Sequence, residues 1–525
     1  MTLISVHCFL FALAVILLYF VLPKKWQWLV LVAGNLYFYI SFGLQYLFYL
    51  LFDALISYGA ALAFDRMNQT AVKAMEGMDA AGKEEARRQL LKRKKKLSAL
   101  AIVAILFFWI LIKYGNFFLS NLQSVLLFFS APWRPGTLEL ILPLGMSFYT
   151  FHAIGYLIDV YRKKYPAEKN FLKYFCFVSF FPHMIEGPFS RFDDLGRSLL
   201  QQHSFSYERF CQGMARILWG VFKKVVIADP LASTITIILS QYQDYGGIHI
   251  VFSLILYSIR LYADFSGYMD IVCGFCRILG ISLAENFARP YFAQSVEEYW
   301  RRWHITLGRW FRDYVFFPAS MSRAGTRLSK WARKKWGAKM GKLIAGYFAL
   351  IFVWTATGLW HGASWTYLVW GYLNLVVIVI SMQLADFYAR CRKKLSISDS
   401  NRLWKGFRIL RTYFLVSLFR FFGIAPSLSA AFSILKHGIT DFRLGAVTNT
   451  SGFFVGMFRE EILFMGIGVI FLLVTDILQE TGKWDKFKEK SPIPLRALVY
   501  SVMLLLIVLM SKGADVSQGF MYANF

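Results

Sequence analysis

LIAGYFALIFVWTATGLWHGASWTYLVWGYLNLVVIVISMQLA occupies residues 343–385 and contains no Asp, Glu, Lys or Arg. A transmembrane helix needs about 20 apolar residues, so 43 uncharged positions in a row predict two membrane helices meeting at GLWHGASW (358–365). The rest of the chain has the same character. Of its 525 residues 57% are hydrophobic, 18% aromatic and only 17% charged, against about 25% charged in soluble domains. Such a chain cannot cover a water-facing surface. The predicted fold class is therefore all-α: a polytopic integral membrane protein with roughly ten to thirteen transmembrane helices plus interfacial and re-entrant helices. Disordered chains, secreted disulfide scaffolds and soluble nucleic-acid binders are excluded.

Outward from 343–385 the charge is uneven. The chain carries 58 Lys+Arg against 31 Asp+Glu, a net charge of +27. In a membrane protein this excess marks short cytoplasmic loops and contact with anionic lipids rather than nucleic acid. KEEARRQLLKRKKK (83–96) has eight Lys/Arg and two Glu and reads as a cytoplasmic loop. Before it, Met1–Pro23 is uncharged and lacks a signal peptide's basic start and cleavage site, which predicts a retained first helix. Trp26–Phe64, interrupted only by Asp53, is long enough for two more. Further apolar runs lie at 97–112, 115–130, 139–159, 171–185, 208–228, 246–280, 412–435, 462–475 and 497–511. Basic clusters YRKKY (161–165) and FKK (222–224) sit between or at the edges of these runs. The six Cys are scattered, and Cys273 and Cys276 form a C-x-x-C inside an apolar stretch; all six read as small core residues, with no metal site. Three regions follow: N-terminal helices over 1–135, a core over 136–400 and C-terminal helices over 401–525.

One segment departs from this pattern. Trp300, Trp303, Leu307, Trp310 and Tyr314 follow the spacing of one helical face, and Arg301, Arg302, Arg309, Arg312 and Asp313 fall on the other side. An aromatic stripe opposite a cationic face predicts an amphipathic helix lying in the membrane interface. Residues 323–342 add eight more Lys/Arg and no acid, which places the region on the cytoplasmic side. The cationic face suits the diphosphate of a coenzyme through charge-assisted hydrogen bonds; a topology signal with lipid contacts is the plainer reading of each arginine.

An ionisable group at membrane depth is costly, about 2.5–3.5 kcal/mol for a charge on insertion scales, so the residues that break the apolar runs are candidates for chemistry. His361 leads them. Trp360 and Trp365 flank it, Gly358 and Gly362 allow close backbone approach, and the neutral imidazole that such surroundings favour is the form able to accept a proton. A structural hydrogen bond to a neighbouring helix is its plainer role. His304 falls on the aromatic side of the 300–314 wheel, where it can point inward or simply pack among rings. His183 ends an apolar run beside Glu186, between Pro182 and Pro188, which break a helix where it meets water or a cavity. His152 reads as structural. Asp264 and Asp270, near Arg260 and Arg277, read first as an interhelical ionic brace and second as catalytic acids.

Taken together, ADFSGYMDIVCGFCRILGISLAENFARPYFAQSVEEYWRRWHITLGRWFRDYVFFP (263–318) and GLWHGASWTYLVWG (358–371) resemble the membrane-bound O-acyltransferase family. LPLGMSFYTFHAIGYLIDVYR (142–162), FPHMIEGPFSR (181–191) and the terminal Phe520, Tyr522 and Phe525 resemble, more narrowly, its bacterial alginate O-acetylation branch. The resemblance implies a core enclosing a tunnel across the bilayer, in a bacterial cell membrane. Through it an acetyl group passes from cytoplasmic acetyl-CoA to a hydroxyl of an exported polysaccharide or of a relay protein. It implies His361 as general base, His304 on the donor side orienting the thioester or protonating the thiolate, and a role for His183. Arg301, Arg302, Arg309 and Arg312 would hold the coenzyme phosphates. Trp303, Trp360, Trp365, Asp264, Ser266 and Asp313 would line or support the cavity. It also implies an extracytoplasmic acetyltransferase or relay protein as partner. One departure stands out: the branch reads F-F-R-A after its late helix, whereas this chain reads FRFFGIAPS (419–427). Two other readings remain: D-alanyl transfer from a carrier protein to teichoic acid, in the same family, and a transporter whose buried histidines relay protons.

Overall fold

A computed structural model describes residues 5–130, 136–140, 142–442 and 452–511; Phe520, Tyr522 and Phe525 lie outside them. The described chain is helical, and its β-pairing is limited to one antiparallel bridge between Phe287 and Trp303. Seven described helices are long and apolar enough to cross a membrane: Leu44–Met75, Ala80–Phe128, Gly247–Leu279, Arg323–His361, Trp365–Gln383, Arg459–Glu480 and Ile493–Ser511. This is a multi-pass membrane protein. Other runs expected to span form shorter helices. Val6–Val21, Gln27–Phe42 and Met146–Tyr161 have 16 residues each, about 24 Å at 1.5 Å per residue against a hydrocarbon core of about 30 Å.

The chain divides into two compact units, Met1–Met214 with Val272–Ala284, and Ala215–Ile271 with Glu285–Phe525. In the first, Leu44–Met75 packs on Ala80–Phe128 and on Met146–Tyr161. Its buried polar groups answer one another: Thr150 donates to Asp53 at 2.7 Å, Ser57 and Tyr174 share a hydrogen bond of 2.5 Å, and Asn35 donates to Ser179 and accepts from Phe181 N. The basic stretch 83–96 is helix, not loop. Its Lys, Arg, Glu, Gln and Leu are strong helix formers, and it continues without a break into the apolar half of Ala80–Phe128. Lys94 is buried there and donates to the Tyr161 carbonyl at 3.2 Å. Of the cysteines, Cys8, Cys176, Cys273 and Cys276 are buried as expected, but Cys211 is exposed and Cys391 half-buried.

In the second unit the uncharged stretch forms the expected hairpin. The helix ending at His361 is followed by one beginning at Trp365, and Ser364 caps the new start by accepting from Thr366 N. The two helices touch through glycine: a Cβ on Gly371 would lie 2.8 Å from the Trp354 carbonyl oxygen, and one on Gly358 2.8 Å from that of Tyr367. The basic half of Arg323–His361 is set off from the apolar half at Gly337, whose φ of 86° breaks the helical path.

FKK (222–224), at the edge of an apolar run in the sequence, is buried. Lys223 and Lys224 begin a π-helical turn, Lys223–Ala228, and both are buried. Lys224 meets Asp264 and Asp229, each at 2.7 Å, while Lys223 meets Asp270 at 2.6 Å and donates to Ser266 at 2.7 Å. Arg216 adds a second contact to Asp270 at 2.8 Å. Asp264 and Asp270 thus form an ionic brace, but its cations come from the neighbouring helix rather than from Arg260 and Arg277. The approach is close because a Cβ on Gly220 would lie 2.5 Å from the Gly267 carbonyl oxygen.

Candidate active site

The amphipathic stripe is not one helix. Val296–Arg302 and Ile305–Phe311 are separate short helices, followed by a π-turn at Arg312–Phe316. Between the two helices Trp303 is extended and His304 takes a left-handed backbone, φ 47° and ψ 52°, a conformation that costs a non-glycine residue about 1–2 kcal/mol. A local cross-pairing holds the break: Ala288 N donates to the Arg302 carbonyl and Ile305 N to that of Asn286, both at 3.0 Å. The Asn286 side-chain oxygen accepts from Thr306 N at 3.1 Å and from the Thr306 hydroxyl at 2.9 Å, and lies 3.2 Å from His304 Nδ1. Because that oxygen is an acceptor, Nδ1 carries the His304 proton and Nε2 is the basic nitrogen.

Breaking the helix turns Trp303 inward. It lines a small cavity, about 40 Å³, together with Tyr257, Leu261, Trp300, His361, Tyr367, Trp370, Arg420 and Gly423. That volume exceeds the ~10–15 Å³ one water needs and falls far short of the ~300–1,000 Å³ of a drug-sized ligand site. The cavity admits a group of a few atoms, not a coenzyme.

His361 is held in this wall by rings. Trp360 and Trp370 meet it edge-on, each with centroids 4.8 Å away, and Tyr367 stacks at 6.2 Å and 17°. Gly362 makes the stack possible, since a Cβ there would lie 2.3 Å from Tyr367 Cε2. Trp300, also in the lining, donates to Asn374 at 2.9 Å and packs edge-on to Trp354 and Trp370. Trp365, expected at the cavity, is 54% exposed: it opens the helix at N1, so its side chain leaves the hairpin. His304 is buried but does not line the cavity. The Trp360 indole stands between the two histidines, 5.8 Å from His304 and 4.8 Å from His361.

His183 belongs to the other unit. It is fully buried, 5.2 Å from the His152 ring, and neither of its ring nitrogens has a hydrogen-bond partner among the described residues. Burial, with His152 beside it, holds its imidazole well below the usual histidine range. Gly187 is required there, because a Cβ would fall 2.2 Å from the His183 Cα. His152 is not idle: Ser190 N donates to its Nε2 at 3.3 Å.

The four arginines differ. Arg302 is engaged by Glu298 at 2.7 Å and by Glu480 at 2.8 Å. Arg301, Arg309 and Arg312 are exposed, Arg301 beside Glu297 and Arg312 beside Asp313. Arg420 enters as a site residue that sequence reasoning overlooked. It is the one charge in the apolar run 412–435, so the rule that singled out His361 applied to it equally. Asn286 carried no signal.

Burial pushes His304 down to about 3. A histidine in an unfolded chain titrates near ~6.5, so between that value and about 3 the unfolded chain binds a proton the folded one does not. Stability is intact above ~6.5 and falls with acidification, by up to ~1.4 kcal/mol per pH unit for this group. Detergent-solubilised protein should melt lower at pH 5 than at pH 7, and His304→Asn, which tolerates the left-handed backbone, should flatten that slope. His304→Ala keeps the strain and loses the Asn286 contact, so it should melt lowest at pH 7. An unchanged pH slope in His304→Asn would remove this account.

The membrane-bound O-acyltransferase family model matches residues 167–333. A probable alginate O-acetylase of Azotobacter vinelandii is 32% identical over 367 residues, 70% of this chain and 66% of that protein. A peptidoglycan O-acetyltransferase of Helicobacter pylori is 30% identical over 443 residues, 79% of this chain and 73% of that protein. A teichoic acid D-alanyltransferase of Bacillus subtilis is 27% identical over 284 residues, 53% and 67% of the two chains. The alginate relatives are spanned only in part, 66% of the Azotobacter protein and 46% of that from Pseudomonas aeruginosa. The Helicobacter match runs through most of both chains, and with it this protein belongs to the membrane-bound O-acyltransferase family.

Proposed function

We propose that this chain moves a short acyl group, acetyl from cytoplasmic acetyl-CoA, to a hydroxyl of an exported cell-surface polysaccharide, directly or through a relay protein. The observation that carries the reading is His361 in the wall of a ring-lined cavity sized for a few atoms. A cavity of that size takes the acyl end of a thioester and leaves the coenzyme outside. The hydroxyl oxygen attacks the thioester carbonyl, His361 takes the hydroxyl proton, the C–O bond forms and the C–S bond breaks. The thiolate leaves and is reprotonated, by His361 or by water.

His304 is a positioning residue in this scheme: it fixes the Trp303 turn and backs Trp360. Exposed Arg301, Arg309 and Arg312 are the candidates for the coenzyme phosphates, whereas Arg302 braces its helix against Glu480. An extracytoplasmic transferase or relay protein is the expected partner, and membrane lipids surround the chain. D-alanyl transfer from a carrier protein is the second reading, supported by the likeness to the D-alanyltransferases.

Membrane vesicles containing the chain, supplied with radiolabelled acetyl-CoA or with D-alanine on its carrier, separate the two. Label from acetyl-CoA in cell-surface polymer or in a relay protein is the expected result. Label from the carrier alone overturns the acetyl donor and leaves the acyl-transfer reading in place.

A further inference from the structure

Arg420 puts a permanent positive charge in the wall of the cavity that holds His361. It lies on the helix Arg402–Ile424 and is buried. Its guanidinium sits 4.1 Å from the Trp303 ring centre, a cation–π distance. It donates to the Tyr291 hydroxyl at 2.7 Å and to the Tyr299 hydroxyl, and Tyr291 in turn donates to the Ser258 carbonyl. A guanidinium fixed by a ring face and two phenols is pre-organised, and it does not lose its proton in proteins. Trp303 is thus shared: one face receives the charge, and the ring is itself a wall of the cavity.

We infer that Arg420 selects the acyl group by charge, so that the cavity accepts a short neutral acyl group such as acetyl or propionyl and rejects one bearing an ammonium, such as glycyl or D-alanyl. The inference rests on the acyl-transfer reading, in which this cavity receives the acyl end of the donor. Size alone does not make the distinction. Propionyl and glycyl have the same number of heavy atoms and the same shape, and differ in a terminal methyl against a terminal ammonium. Two like charges about 6 Å apart, at an effective dielectric of about 20, repel by an amount equal to roughly two orders of magnitude in an equilibrium constant. Relaxation of the site trims this to an expected ~10–10²-fold preference for propionyl.

The test compares propionyl-CoA with glycyl-CoA as donors for vesicles carrying the native chain, Arg420→Gln or Arg420→Lys, and reads the ratio of their kcat/KM values. The native chain should favour propionyl by ~10–10²-fold. Arg420→Gln should bring the ratio towards unity whatever happens to the absolute rate, and Arg420→Lys, which keeps the charge but loses the planar stack, should hold most of the preference. Where Arg420→Gln does not accumulate folded, the native ratio and that of Arg420→Lys still decide. A native chain that uses both donors equally overturns the charge filter and leaves acyl transfer standing, as does a ratio that Arg420→Gln leaves unchanged. A native chain that ignores both coenzyme esters yet transfers D-alanine from a carrier overturns the filter and the acetyl-CoA reading together.

Discussion

Vesicles carrying His361→Ala at matched expression should transfer acyl groups ~10²–10⁴-fold more slowly than the native chain, the range typical of a lost general base. The protein should remain folded. His361 is the last residue of its helix and packs on the rings of Trp360, Tyr367 and Trp370, so truncation removes packing from the edge of an existing cavity. His361→Gln keeps more of that volume and offers no base of comparable strength; it should be as inactive as His361→Ala while melting closer to the native protein. The loss belongs to the step in which the hydroxyl proton moves, so kcat and kcat/KM should fall together while donor affinity holds. A folded His361→Gln with native rates would assign the histidine to packing and leave the cavity without its base.

What could be read in advance depended on how far apart in the chain the partners lie. The GLWHGASW hairpin was legible because its parts are neighbours: Gly358, His361, Gly362 and Tyr367 meet across one short connection, and glycine, tryptophan and histidine announce that meeting by type. The stripe from Trp300 to Tyr314 misled because a helical wheel assumes an unbroken path. A left-handed residue at His304 resets the phase, and the partner that holds it, Asn286, lies 18 residues upstream. In the sequence Arg420 shows only within a departure from the branch pattern, since the tyrosines that receive it are 129 and 121 residues away. Lysines read as a topology signal proved buried for the same reason: Lys223 and Lys224 meet carboxylates 47 and 40 residues further on. Charge pattern reports which side of a membrane a loop takes, but it does not report a cation that has found a buried partner.

That last pair sets the largest expected effect on stability. Lys224 and Asp264 are almost fully excluded from water and 2.7 Å apart. Breaking a buried ion pair by removing one partner costs about 3–5 kcal/mol, mainly because the other charge is left behind without compensation. Asp264→Asn should therefore lower the thermal midpoint by roughly 5–10 °C, cushioned by the contact Lys224 keeps with Asp229 at 2.7 Å. Lys224→Met should do worse, since Asp264 and Asp229 then face each other across an apolar side chain. Lys224→Met combined with Asp264→Leu removes the central pair outright and should recover part of the loss, a positive coupling in a double-mutant cycle. The same cycle tests the other role the sequence left open for Asp264. If the carboxylate braces the helices, transfer per folded molecule in Asp264→Asn stays within a few-fold of native while the midpoint falls. If it acts in the chemistry, activity collapses at a midpoint that hardly moves, and the double variant recovers stability without recovering transfer.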